Sequence, residues 1–151
     1  MNRISLIPAL IFCLSFFFTL PSCTNDNPVD PSQTIIQNNV QAGIWRITLF
    51  IDSGTDETSH FSGYSFTFGD NNILTSTNGT VIHTGTWSIT DSNSNDDHPD
   101  DLDFNILFSF NNDFEDLSED WQILSQSSNR IELTHVSGGN GGTDFLTFEK
   151  D

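Results

Sequence analysis

Between Leu102 and Phe110 every second residue is large and apolar: Leu102, Phe104, Ile106, Phe108 and Phe110. Such a set can be buried together only by an extended strand with one face on a core, because a helix would scatter it around its circumference. The same period recurs along the chain. Trp45, Ile47, Leu49 and Ile51 share a face in 43–51, and Tyr64, Phe66 and Phe68 share one in 63–68. A weaker run over 72–77, around Ile73 and Leu74, stops at Asn78-Gly79, a hairpin signal. Stretches 81–90, 121–125, 130–136 and 144–150 complete eight strands. Short polar connections predict an all-β domain: an eight-stranded antiparallel up-and-down barrel, with a two-sheet β-sandwich as the alternative. Closure favours the barrel, since it removes exposed strand edges. One short helix is expected over Asp113–Asp120, with Phe114 and Leu117 on one side.

The frame Gly-x-Trp-x-Ile occurs twice, as Gly43-Ile44-Trp45-Arg46-Ile47 and as Gly85-Thr86-Trp87-Ser88-Ile89. At the same offset Thr48 matches Thr90, and Phe66 and Phe68 match Phe108 and Phe110. There is no third copy, which excludes a stacked repeat array. A glycine ahead of a strand tryptophan lets another group approach the backbone while the indole fills the core. Two tryptophan-anchored strands of one barrel are therefore expected.

The first 22 residues read differently. A short positive start, Met1-Asn2-Arg3, leads into the apolar run Ile4–Leu20, which is short for a membrane span and reads as a secretory signal. Leu20-Pro21-Ser22-Cys23 resembles a bacterial lipobox, in which the cysteine is acylated and becomes the first mature residue. Ordinary cleavage nearby, leaving a thiol, is the alternative. Cys13 leaves with the signal, so Cys23 has no partner for a disulfide, and lipidation explains the odd cysteine. The expected organisation is a lipoprotein signal peptide over 1–22, a lipidated tether over 23–41 and a barrel domain over 42–151. Within the tether, Ile35, Ile36 and Val40 are spaced for a helical turn that plugs one end of the barrel.

Without Arg3 the chain carries three basic residues, Arg46, Arg130 and Lys150, against 21 acidic ones, a net charge near −18. Phosphate backbones and anionic lipid heads repel such a chain, so nucleic acid is excluded as a partner class. The lipid would hold the domain at the membrane without a basic patch. Ten Phe, three Trp and one Tyr beyond the signal exclude disorder.

GIWRITLFID (43–52), HTGTWSIT (83–90), the segment Phe114-x-x-Leu117-x-x-x-Trp121 and the ending Thr143-Asp144-Phe145-Leu146-Thr147-Phe148-Glu149-Lys150 together resemble the small lipocalin-like lipoproteins of Bacteroidetes-type bacteria. The resemblance implies a lipid-anchored barrel of unassigned function in the cell envelope, held to the outer membrane; a monomer without catalytic activity is expected. Thr143-Asp144-Phe145 is similar to the Thr-Asp-Tyr element of true lipocalins but lies at the end of the chain. The basic residue that caps the first tryptophan there would have to be Lys150 or Arg130. The resemblance also implies a small apolar or amphipathic ligand, for which Trp45, Tyr64, Phe66, Trp87, Phe104 and Phe108 are the candidate lining. An eight-stranded barrel is only just wide enough for side chains or one small ligand, so a filled core serving structure or protein interaction is the competing expectation.

Asp91-Ser92-Asn93-Ser94-Asn95 opens like a calcium loop, with oxygen donors at alternate positions, and Asp97 and Asp101 extend it. Asp96 stands in place of the turn glycine and Leu102 in place of the bidentate glutamate, so a solvated acidic loop is the alternative. Asp52, Asp56 and Glu57 form a poorer set of the same kind. No other cofactor is expected. His60, His83, His98 and His135 show no metal-ligand spacing, and no nucleophile elbow or phosphate-cradling loop is present.

Overall fold

The computed structural model describes residues 31–91, 102–109, 112–137 and 142–151. One α-helix, α1 (Pro31–Gln41), precedes nine strands: β1 (Trp45–Asp52), β2 (Thr55–Asp56), β3 (Ser65–Phe68), β4 (Ile73–Thr77), β5 (Ile82–Asp91), β6 (Leu102–Leu107), β7 (Asp120–Gln126), β8 (Arg130–Val136) and β9 (Thr143–Lys150). Every pairing is antiparallel. β1 and β3 to β9 pair in chain order, and β1 also pairs with β9, so the eight strands close into the expected barrel. The extra strand, β2, folds back on β1 through Ser53 and Gly54, both at positive φ, as a two-residue hairpin turn requires. The Ser-Gly pair carried that turn in the sequence.

Alternation places the expected side chains inside: Phe66 and Phe68 from β3, Leu74 from β4, Trp87 and Ile89 from β5, and Leu102, Phe104 and Ile106 from β6 are all buried. β1 departs from its simple period. Its register with β9 steps from Ile47 opposite Phe148 to Leu49 opposite Thr147, leaving Thr48 as the extra residue of a β-bulge. Beyond the bulge the faces exchange, so Phe50 is buried at 1% exposure and Leu49 turns outward at 36%. A second bulge on β7 leaves Leu124 between Ile123, opposite Leu133, and Ser125, opposite Glu132.

Both ends of the barrel are covered. At one end α1 inserts Ile36 and Val40, as the spacing of that segment predicts, so close packing already begins within the tether. At the other end Phe61, from a 3₁₀ turn over Thr58–Phe61, meets Phe114 edge-on with ring centroids 5.4 Å apart. The segment read as a helix over Asp113–Asp120 is a single 3₁₀ turn, Glu115–Leu117. Phe114 and Leu117 are both buried, but crowded carboxylates and the return of the chain into β7 allow no longer helix.

The two Gly-x-Trp frames use their glycines differently. A Cβ on Gly85 would collide with the Leu107 carbonyl oxygen and come within 2.7 Å of the Phe108 ring. One on Gly43 would meet only the flexible Lys150 side chain, at 2.9 Å. Gly85→Ala should therefore cost about 2–3 kcal/mol through overpacking, whereas Gly43→Ala should change stability by only about 0.5 kcal/mol. Urea unfolding midpoints of the two variants check this.

Candidate functional site

Each tryptophan spends its indole N–H on a main-chain carbonyl of a segment closing the barrel. Trp45 donates to Val40 O of α1 at 2.7 Å, Trp87 to Gly69 O at 3.0 Å and Trp121 to Leu117 O at 3.0 Å. The Lys150 ammonium lies over the Trp45 ring, 4.8 Å from its centroid, so Lys150 is the basic cap of the first tryptophan. Arg130 is engaged instead with Glu132 and Glu149.

Five of the six candidate lining residues, Trp45, Phe66, Trp87, Phe104 and Phe108, are buried, with at most 5% of their surface exposed. They pack on rings rather than around a space. Phe68 makes edge contacts with Trp87, Phe104 and Phe148, each at 5.4 Å between centroids, and Phe66 adds another with Phe148 at 5.4 Å. Each such ring buries ~150–250 Å² and its edge contacts add about 0.5–1.5 kcal/mol. Tyr64 is half-buried at the mouth opposite α1, where Phe114 gathers Tyr64, His83 and Phe108 within 5.2 Å. The one unsatisfied interior hydroxyl is that of Ser76, fully buried on β4 without a hydrogen-bond partner among the described residues. Removing an orphaned hydroxyl relieves its desolvation penalty. Ser76→Ala should thus be neutral or stabilising by up to about 1 kcal/mol, read as a rise in the thermal midpoint.

The mouth opposite α1 is the acidic end. Ligand oxygens of Asp52, Glu57 and Asp116 all lie within 4.8 Å of one another. Asp52 ends β1, Glu57 follows β2 and Asp116 comes from the 3₁₀ turn beyond β6, so closure of the barrel assembles groups remote in sequence. Asp56, expected with Asp52 and Glu57, instead accepts the Thr58 N–H at 3.0 Å. Hydrogen bonds from Thr58, side chain first, hold the Asp56 carboxyl below its ordinary range. His60 Nδ1 stands 3.8 Å from Glu57 and 3.9 Å from Asp113. Alongside, His135 lies between Glu119, 3.6 Å from Nε2, and buried Asp144, 3.5 Å from Nδ1. Asp144 also accepts the Ser53 N–H at 2.7 Å and pairs with the Ser137 hydroxyl, which fixes the rim.

Three carboxylates at this spacing can offer a hard divalent cation part of its oxygen shell, the rest coming from water. Of the expected calcium loop, Asp91 ends β5, exposed, while Asn93, Asn95, Asp97 and Asp101 lie outside the described residues, as does Cys23. Among the described residues no helix is long and apolar enough to cross a membrane. No protein-family model matches the chain, and no curated protein matches it.

Burial pushes the Asp116 carboxyl up, and the carboxylates of Asp52, Asp113 and Glu115 push it further, against a smaller opposing effect of His60. Between the ordinary value of 3.8 and the raised one, the folded state binds more protons than the unfolded chain. Stability from this group therefore falls as pH rises through that window and stays lower above it. Asp116→Asn should melt higher than the parent at neutral pH, with the difference vanishing below the window. Thermal midpoints of both proteins from about pH 3 to about pH 7 measure it.

Proposed function

We propose that this protein is a non-catalytic, lipid-anchored envelope protein whose barrel is a filled structural module working through its outer surface. The observation that carries the reading is the mutual packing of the interior rings between two covered ends. Phe66, Phe68, Phe104 and Phe148 meet edge to face in the interior, where a ligand-carrying barrel of this strand number would hold its ligand. Resemblance to the lipocalin-like lipoproteins supports the anchor on Cys23 and a place at the outer membrane. The cap of Lys150 over Trp45 strengthens the likeness to that fold.

A second reading, divalent-cation binding at the acidic mouth, is favoured by the convergence of Asp52, Glu57 and Asp116. No Lys or Arg approaches those carboxylates among the described ion pairs, so a cation would relieve their repulsion.

Native mass spectrometry of the full chain, extracted from membranes in mild detergent, tests both. The expected mass is that of a chain starting at Cys23 with its lipid and no other small molecule. A further molecule lost on denaturation would replace this reading with ligand carriage inside the barrel. Calcium adducts that disappear on chelation and in Asp116→Asn would establish the cation reading, and adducts indifferent to that substitution would move it elsewhere.

A further inference from the structure

An open groove of about 290 Å³ runs between α1 and β7, lined by Ser32, Ile35, Ile36, Ile123, Leu124 and neighbouring polar residues. Ile35 and Leu124 stand beside it with 56% and 58% of their surface exposed. Leu124 continues the outward phase of Asp120 and Gln122, alternating with the inward Trp121 and Ile123, and it is the extra residue of the β7 bulge.

The surroundings of the groove are unlike the rest of the molecule. Residues 31–45 and 121–129, which supply its walls and their continuations, contain no charged residue, although the chain holds 21 acids. Arg46, Arg130 and Lys150, at the start of β1, the start of β8 and the end of β9, all lie at the end of the barrel that α1 covers. The Asp52, Glu57 and Asp116 cluster lies at the opposite end. Acids share the α1 end as well: Asp151 pairs with Arg46, and Glu132 and Glu149 pair with Arg130. The Ser125 hydroxyl of the groove wall donates to Glu132, Gln41 of α1 donates to Asp70, and Asp91 ends β5. Together these acids make anionic lipid a poorer surface than zwitterionic lipid.

The position of the chain supplies the occupant. The helix begins at Pro31, next to Ser32 of the groove wall, and Cys23 lies eight residues earlier. Extended chain spans at most ~3.3–3.6 Å per residue, so a lipid on Cys23 keeps this wall within one short tether of the bilayer. We propose that the α1–β7 groove is the face on which the domain rests on a zwitterionic phospholipid surface, Ile35 and Leu124 entering the interface and the acidic mouth pointing away. The proposal rests on the anchor at Cys23 argued above.

Depth-dependent quenching tests it with the full lipidated chain in phosphatidylcholine vesicles. An apolar, environment-sensitive fluorophore is placed at Leu124→Cys or, for comparison, at Glu115→Cys beside the acidic cluster. Brominated-acyl phosphatidylcholine should quench the label at position 124 several-fold more than the label at 115. A lipidated chain in which both labels are equally unquenched, or in which position 115 is the deeper, overturns the docking while leaving the anchor intact. A mass lacking lipid on Cys23 overturns the anchor and the docking together. A label at 124 that is shielded from aqueous iodide but not quenched by bromolipid, in a chain that runs as a dimer, assigns the groove to a second copy and also overturns the proposal.

Discussion

Three indole N–H groups hold this barrel shut. A buried N–H left without an acceptor costs about 1–3 kcal/mol, so each tryptophan needs a carbonyl at the end of the barrel that it faces. Val40 of α1, Gly69 of the β3–β4 turn and Leu117 of the 3₁₀ turn supply them. The rings anchor strands β1, β5 and β7, and their polar tips position the segments that close the ends. The repeated Gly-x-Trp-x-Ile frame is thus one device in two settings, with a third tryptophan doing the same without the frame. Its glycines serve what lies across from them, the Lys150 side chain at Gly43 and the Leu107 backbone at Gly85.

Closing both ends around a ring-filled interior moves the chemistry to the outside, where the two ends of the barrel differ. The α1–β7 face is at the end nearest the N-terminal segment, where Arg46 and Arg130 are paired with Asp151, Glu132 and Glu149, and the convergent carboxylates of Asp52, Glu57 and Asp116 are at the other. With the proposed anchor at Cys23, the α1 end would face the membrane and the acidic mouth would face away from it.

Most of the barrel was legible in the chain because each strand has one buried face. The β5 and β6 faces follow strict alternation, and the plug formed by Ile36 and Val40 follows from their helical spacing. The β1 face was only half legible. Leu49 and Ile51 continue the period of Trp45 and Ile47, and nothing local tells that Thr48 bulges and that Phe50 takes the inner position. Phe114 and Leu117 share one side of their segment, yet a spacing of three fits a 3₁₀ turn as well as a helix. At the acidic mouth, Asp52 and Glu57 were visible as neighbours. Asp116 was not, because only closure of the barrel brings its turn to them, and Asp56 was diverted to its own local turn. The Glu119–His135–Asp144 row was hidden for the same reason, its members meeting across three strand ends.

Whether the interior is filled can be measured with xenon, which enters dry apolar cavities and is readily seen by diffraction. Crystals of the protein under xenon pressure should show no xenon between Trp45, Phe66, Phe68, Phe104 and Phe148. A well-occupied xenon site among those rings would contradict the filled barrel and return the interior to the role of a ligand chamber.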